Sequence, residues 1–295
     1  MNLRTFYRLF YKHRIKKASI FLKLYIIIVV PLKYLLNIFY FEKKVDLDSY
    51  KNNFSNLFTK NLNSLFEHFN SDKGEYFVNQ YVQPAKKNKE KINAHGYAKI
   101  YETVFIKFKE KKINILEIGS FYGNAAAALY FYFDKANIFS ADINPDMFKY
   151  KSNRITNFYV DSSSRNSLNN DLISKKNNFD IIIEDASHML KDQIISLFML
   201  FPLVNPGGYF IVEELDFPET REDMRIDQTK PDLKKILQNI LKNTDFNSIY
   251  INDDEKKYFL ENLSSIEIKK GNFNEIAIIK KNEHLLYYSQ TFNRN

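Results

Sequence analysis

Between residues 113 and 214 the chain repeats one arrangement: a short apolar run, a polar break, then a segment long enough for a helix. The runs are INILEI (113–118), NIFSAD (137–142), NFYVD (157–161), FDIIIED (179–185) and GGYFIVEE (207–214). Strands that are apolar throughout need cover on both faces, and helix-length connections return the chain in the same direction, so the pattern predicts parallel βαβ units. Near the end, SIEIKK and EIAIIKK flank GNFN and read as an antiparallel hairpin that finishes the sheet. The expected fold class is α/β: a doubly wound, mostly parallel seven-stranded sheet with a C-terminal antiparallel hairpin and an N-terminal helical extension. One such domain over 52–295, with an extension over 1–51, accounts for the 295 residues. The chain has no Cys, which excludes disulfides and thiolate metal sites and leaves oxygen and imidazole for any metal.

The formal charge of +8 is not spread over the molecule. Residues 1–51 carry eleven Lys/Arg against three Asp/Glu, and the remainder carries 32 of each sign. A body without net charge offers no basic groove, so no nucleic-acid partner is expected. In the extension, Leu3, Phe6, Tyr7 and Phe10 fall at helical spacing with Arg4, Arg8, Lys12 and Arg14 between them. ASIFLKLYIIIVVPLKYLLNIFYF follows, where Lys23, Pro31 and Lys33 keep every uncharged run short of the roughly 18–20 residues that span a bilayer. No small-residue cleavage site accompanies it, so a removable signal peptide is not expected. The expectation is a helix pair lying on the cytoplasmic face of a membrane through residues 1–45. An extension packed on the body, or on a second copy in a homo-oligomer, is the alternative, and a tilted span with snorkelling lysines is a third.

LEIGSFYGNAAAAL is the first stretch that carries chemistry. A strand ends at Glu117, Gly119 and Gly123 allow a tight turn, and the alanines begin a helix whose free N–H groups face any ligand. Three glycines spaced to seat a pyrophosphate are absent, which counts against a dinucleotide site. Acid-x-Gly-x-x-x-Gly instead resembles the first motif of class I S-adenosylmethionine-dependent methyltransferases. That resemblance implies that Glu117 anchors the turn and the methionine ammonium, that Gly119 admits the cofactor, and that Ser120 and Gly123 complete the loop. Asp142, at the end of the second strand, suits both ribose hydroxyls or a helix cap. Asp161 and Ser162 close the third strand, where they would meet the adenine amine.

In a doubly wound sheet, ligands bind outside the carboxyl ends of the strands. There the fourth strand delivers Glu184 and Asp185, with His188 three residues later, and the fifth delivers Glu213 and Glu214. If the two strands are neighbours their tips lie about 4.8 Å apart. Crowded carboxylates repel unless protonated or bridged, and an all-oxygen set suits Mg²⁺ or another hard divalent cation. His188 is then placed to take a proton from a hydroxyl. The plainer alternative is that EDASH caps the following helix, with Ser187 at the N-cap. The segment DFPETREDMRIDQTKP (216–231) has the make-up of an active-site loop, or of an inert connection.

FDIIIEDASH together with LFPLVNPGGYFIVEEL resembles the metal-dependent sugar O-methyltransferases of macrolide biosynthesis (the mycinamicin and tylosin pathways), and the related cephalosporin hydroxylase-like and rhamnosyl O-methyltransferase group. SDKG (71–74) and HGYAKIYE (95–102) fit the same comparison, which covers roughly residues 65–215. The resemblance implies metal ligation by Asp185 and Glu214 with Glu213, and general-base work by His188. It also implies methyl transfer from S-adenosylmethionine to a hydroxyl of a small-molecule or lipid-linked sugar. Lys73, Tyr97 and Glu102 are placed near the pocket by position alone. Relatives commonly have Glu-Asp where this chain has Glu213-Glu214. The rivals are a cephalosporin hydroxylase-like protein of different chemistry and a non-catalytic assembly partner.

Overall fold

The computed structural model describes residues 3–7, 19–37, 43–78 and 91–283. Seven strands form one sheet: β1 (Asn114–Ile118), β2 (Asn137–Asp142), β3 (Ile155–Tyr159), β4 (Phe179–Glu184), β5 (Val204–Val212), β6 (Leu263–Lys270) and β7 (Glu275–Lys281). Their order across the sheet is β6-β7-β5-β4-β1-β2-β3. All neighbours from β5 to β3 are parallel, and β7 runs antiparallel to both β5 and β6. The expected doubly wound fold with its closing hairpin is thus observed.

The apolar runs explain the two cores. Along β4, Ile181 and Ile183 enter the layer that contains the alanine-rich helix Asn124–Tyr132, whereas Ile182 enters the layer under the helix Leu190–Leu200. Four consecutive buried alanines, Ala125–Ala128, let the first of these helices approach the sheet closely. From β1 the chain winds outward through β2 to β3, then returns to place β4 on the other side of β1. That reversal opens a crevice at the carboxyl ends of β1 and β4, between the glycine turn and the acids.

The body begins before the expected boundary at residue 52. Val45–Asp46 pair with Tyr150–Lys151, and Leu47 is fully buried in the first core. Asp48 explains the attachment: its carboxylate accepts from Tyr130 Oη at 2.9 Å, Ser152 Oγ at 3.0 Å and the Asn153 amide at 2.7 Å.

Ahead of the body, α1 (Leu3–Tyr7) packs on α2 (Ile20–Asn37) through a separate small cluster of Phe6, Ile26 and Val30. Among the described residues no helix is long and apolar enough to cross a membrane.

Candidate active site

Hydrogen bonding carries the sheet register past the strand ends and so aligns the acids. The Asp185 amide donates to the Ile118 carbonyl at 2.9 Å, and the Glu213 amide donates to the Glu184 carbonyl at 3.0 Å. Gln193 Nε2 donates to the carbonyls of Glu213 (3.3 Å) and Glu214 (3.1 Å), fixing the exit from β5. His188 (φ 54°) and Glu214 (φ 45°) both adopt the left-handed conformation. For side chains that carry a Cβ this costs about 1–2 kcal/mol at each position.

A cavity of about 620 Å³ opens at these tips, lined among others by Glu117, Gly119, Ser120, Asp142, Asp185, His188, Glu213 and Glu214. The volume suits a nucleoside-sized ligand with a second small molecule. Among the described residues Asp185, His188 and Glu214 form a metal-competent group, with one ligand atom from each lying within 4.8 Å of the others. His188 Nδ1 is 3.6 Å from Glu214 Oε2, and His188 Nε2 is 3.8 Å from Asp185 Oδ1. Glu214 Oε2 and His188 Nδ1 are buried without a hydrogen-bond partner. Ligands of one hard cation with bonds of about 2.1 Å sit roughly 3–4.2 Å apart, so modest side-chain rotation fits the set to an ion.

Glu213 departs from the expected ligand set. Lys73 Nζ donates to Glu213 Oε1 at 2.6 Å and also contacts Asp185, and Tyr101 Oη donates to the same Glu213 oxygen. The buried ammonium therefore engages the carboxylate that was expected to join Asp185 and Glu214 on a metal. Burial opposes the charge on Lys73, but Asp185 and Glu213 override it and hold the ammonium well above its ordinary range. Burial raises Asp185, yet Lys73 and His188 bring it below the ordinary carboxylate value. Burial, with Asp185 and Glu213 beside it, pushes Glu214 up. Burial lowers His188, so the ring is neutral and able to accept a proton.

The glycine loop holds two surprises. A Cβ on Gly119 would lie 2.0 Å from the Asp185 carbonyl oxygen, and φ is +94°. The backbone that follows β4 thus requires the glycine, which also lines the cavity. Gly123 is likewise packed on Phe148 and does not line the cavity. Burial raises Glu117 to about 7, and its Oε2 is buried and unpartnered. Asp142 ties the loop down, accepting from the Phe121 amide at 2.8 Å and the Asn144 amide at 2.7 Å.

Asp161 and Ser162 do not line the cavity. β3 ends at Tyr159, and Asp161 Oδ1 accepts from Ser163 in a local turn. Ser187 is not an N-cap, because the helix begins at Leu190 with Met189 at the cap; its hydroxyl donates to Asp192 at 2.6 Å. Glu102 accepts from the Leu62 amide at 2.9 Å, capping a helix away from the cavity. His95 and Tyr101 were not singled out as site residues, whereas Phe217 and Arg221 line the cavity from the 216–231 segment offered as an active-site loop. His95 Nδ1 lies 3.2 Å from Glu214 Oε1, and Phe217 stands edge-on to His188 with ring centroids 5.2 Å apart. SDKG and HGY act as one unit, since the Tyr97 amide donates to the Lys73 carbonyl and the His95 amide to the Asp72 carbonyl.

No family model matches the chain. It is 31% identical over 133 residues to the 8-demethyl-8-alpha-L-rhamnosyl tetracenomycin-C 2'-O-methyltransferase of Streptomyces olivaceus, a match over 43% of this chain and 35% of that protein. It is 28% identical over 128 residues to the demethylmacrocin O-methyltransferase of Streptomyces fradiae, over 41% of this chain and 32% of that one. The chain therefore spans about a third of the length of these curated relatives. In fold it is similar to MycE, a methyltransferase of the mycinamycin pathway solved with Mg and SAH, with a TM-score of 0.57 at 17% identity over 80% of this chain and 57% of that one. The expected resemblance to macrolide sugar O-methyltransferases is borne out.

Proposed function

We propose that this protein is an S-adenosylmethionine-dependent, divalent-metal-dependent O-methyltransferase acting on a sugar hydroxyl of a glycosylated metabolite or glycoconjugate. The observation that carries the reading is the convergence of Asp185, His188 and Glu214 at the tips of β4 and β5, beside the glycine turn of β1 and within one cavity. The names of the relatives favour this chemistry over the hydroxylase-like and non-catalytic alternatives.

S-adenosylmethionine supplies an electrophilic methyl group, and a hard divalent cation supplies charge that acidifies a hydroxyl. The chain's own residues do the rest. Glu117, with an unpartnered carboxylate oxygen, takes the methionine ammonium, and Asp142, already fixed by two backbone amides, offers its carboxylate to the ribose. Asp185 and Glu214 would hold the cation. His188, kept neutral by burial and standing edge-on to Phe217, would take the proton of the acceptor hydroxyl.

The test is transfer of labelled methyl from S-adenosylmethionine to a panel of glycosides, with Mg²⁺ and with chelator. Transfer confined to the Mg²⁺ samples is expected. Absence of both transfer and calorimetric binding of S-adenosylhomocysteine sinks the proposal. A lipid-linked acceptor on the cytoplasmic side of a membrane fits this reading through the N-terminal helices alone.

A further inference from the structure

We propose that α2 docks in the plane of an anionic lipid surface and holds the protein there. The argument starts from which part of the helix is already used. Ile26 and Val30, one turn apart, are buried against Phe6, and Tyr34 one turn further on meets the Phe6 ring edge-to-face at 5.8 Å. Among the described residues only that stripe packs. Ile20, Phe21, Ile27, Ile28, Leu35 and Leu36 are each 59% exposed or more.

At about 100° per residue, the exposed side chains are not scattered. Ile20, Leu24, Ile28 and Leu35 cluster on the side opposite Ile26 and Val30, with Phe21 and Leu32 beside them, and no charged residue falls among them. Lys23 and Lys33, the two charges of the helix, both fall on the packed side and are exposed there. An apolar half facing one way with cations turned toward the other is the geometry of a helix lying at a lipid boundary, its lysines level with the headgroups. Among the described residues this helix is not long and apolar enough to cross a membrane.

Charge chooses the occupant. Residues 1–51 carry eleven Lys/Arg against three Asp/Glu, whereas the rest of the chain is neutral. In the described part of the extension Arg4, Lys43 and Lys44 are exposed together with the two helix lysines. A second copy covering the apolar half would leave these cations unused on the other side, whereas a bilayer with acidic headgroups takes up the apolar half and attracts the cations.

The experiment is co-sedimentation of the full chain with phosphatidylcholine vesicles, with and without phosphatidylglycerol. At least tenfold more protein is expected to pellet with the anionic vesicles, and the excess is expected to fall in high salt. The double variant Ile28→Glu/Leu35→Glu changes only exposed positions, so its melting temperature should stay at the wild-type value while vesicle binding drops at least tenfold. Failure to pellet with either vesicle overturns the proposal, as does equal binding to neutral vesicles. A wild-type oligomer that the double variant dissociates shows instead that a second copy covers the face, and overturns it too. None of these readouts depends on methyl transfer.

Discussion

Lys73 Nζ lies 2.6 Å from Glu213 Oε1, and both side chains are buried, at 3% and 1% exposure. The ammonium also reaches Asp185 and stands 3.9 Å from Glu117, so one cation serves the tips of β1, β4 and β5. Removing one partner of a buried pair leaves an uncompensated charge, at a cost of about 3–5 kcal/mol. Lys73→Met is therefore expected to lower the melting temperature in chelator. Mg²⁺ should restore much of that loss, because a divalent ion can compensate the same carboxylates, and the affinity for Mg²⁺ should rise. Thermal melts with and without Mg²⁺ check this; an equal loss in both buffers would mean that Lys73 contributes packing and not charge.

His188 is close to both Asp185 and Glu214, so base and ligand are distinct roles that one variant can separate. As the base, His188→Ala should reduce kcat by about 10² or more while S-adenosylhomocysteine and Mg²⁺ affinities stay near wild type. A calorimetric loss of Mg²⁺ affinity in the same variant would assign the imidazole to the metal.

Gly119→Ala separates a packing glycine from a ligand-admitting one. The new Cβ would enter the Asp185 carbonyl and force a left-handed alanine. Strain and overpacking together are expected to cost about 2–5 kcal/mol. Urea denaturation should show that loss without any ligand present. Unchanged stability with lost S-adenosylhomocysteine binding would return the glycine to the role read from its motif.

Most of the sheet was legible because buried parallel strands are continuous apolar runs. β1, β2, β4 and β5, and the hairpin of β6 and β7, fall within a few residues of the runs that announced them. β3 is less apolar, lying two residues earlier than NFYVD suggested, and that shift moves Asp161 and Ser162 into a turn off the cavity. The acids of β4 and β5 were legible because strand neighbours share a register. Lys73 is 112 residues from Asp185 and 140 from Glu213, and no local periodicity links such distant positions. SDKG and HGY stood out as short phrases, but only the backbone bonds between them turn the lysine and His95 toward the acids. The Gly119 contact with Asp185 is equally non-local, so the motif located the turn without showing that the backbone after β4 packs against it.

Lys281 gives a test of the fold independent of the site. Its ammonium, in a residue 2% exposed, donates to the carbonyls of Pro202 (3.2 Å) and Val204 (2.8 Å) and to Tyr258 Oη at 2.8 Å, and none of these partners is a carboxylate. Burial without a countercharge lowers it from 10.5 to about 8. Between those values the unfolded chain holds the proton and the folded chain does not, so unfolding takes up a proton and stability rises with pH across the window. Below about 8 both states are protonated and this contribution is flat. Lys281→Met lacks the group, so wild-type stability minus variant stability, from urea melts between pH 7 and pH 10, should be level up to about pH 8 and climb above it. A difference that falls over that range would mean that the carbonyl acceptors hold the ammonium charged and that burial does not control it.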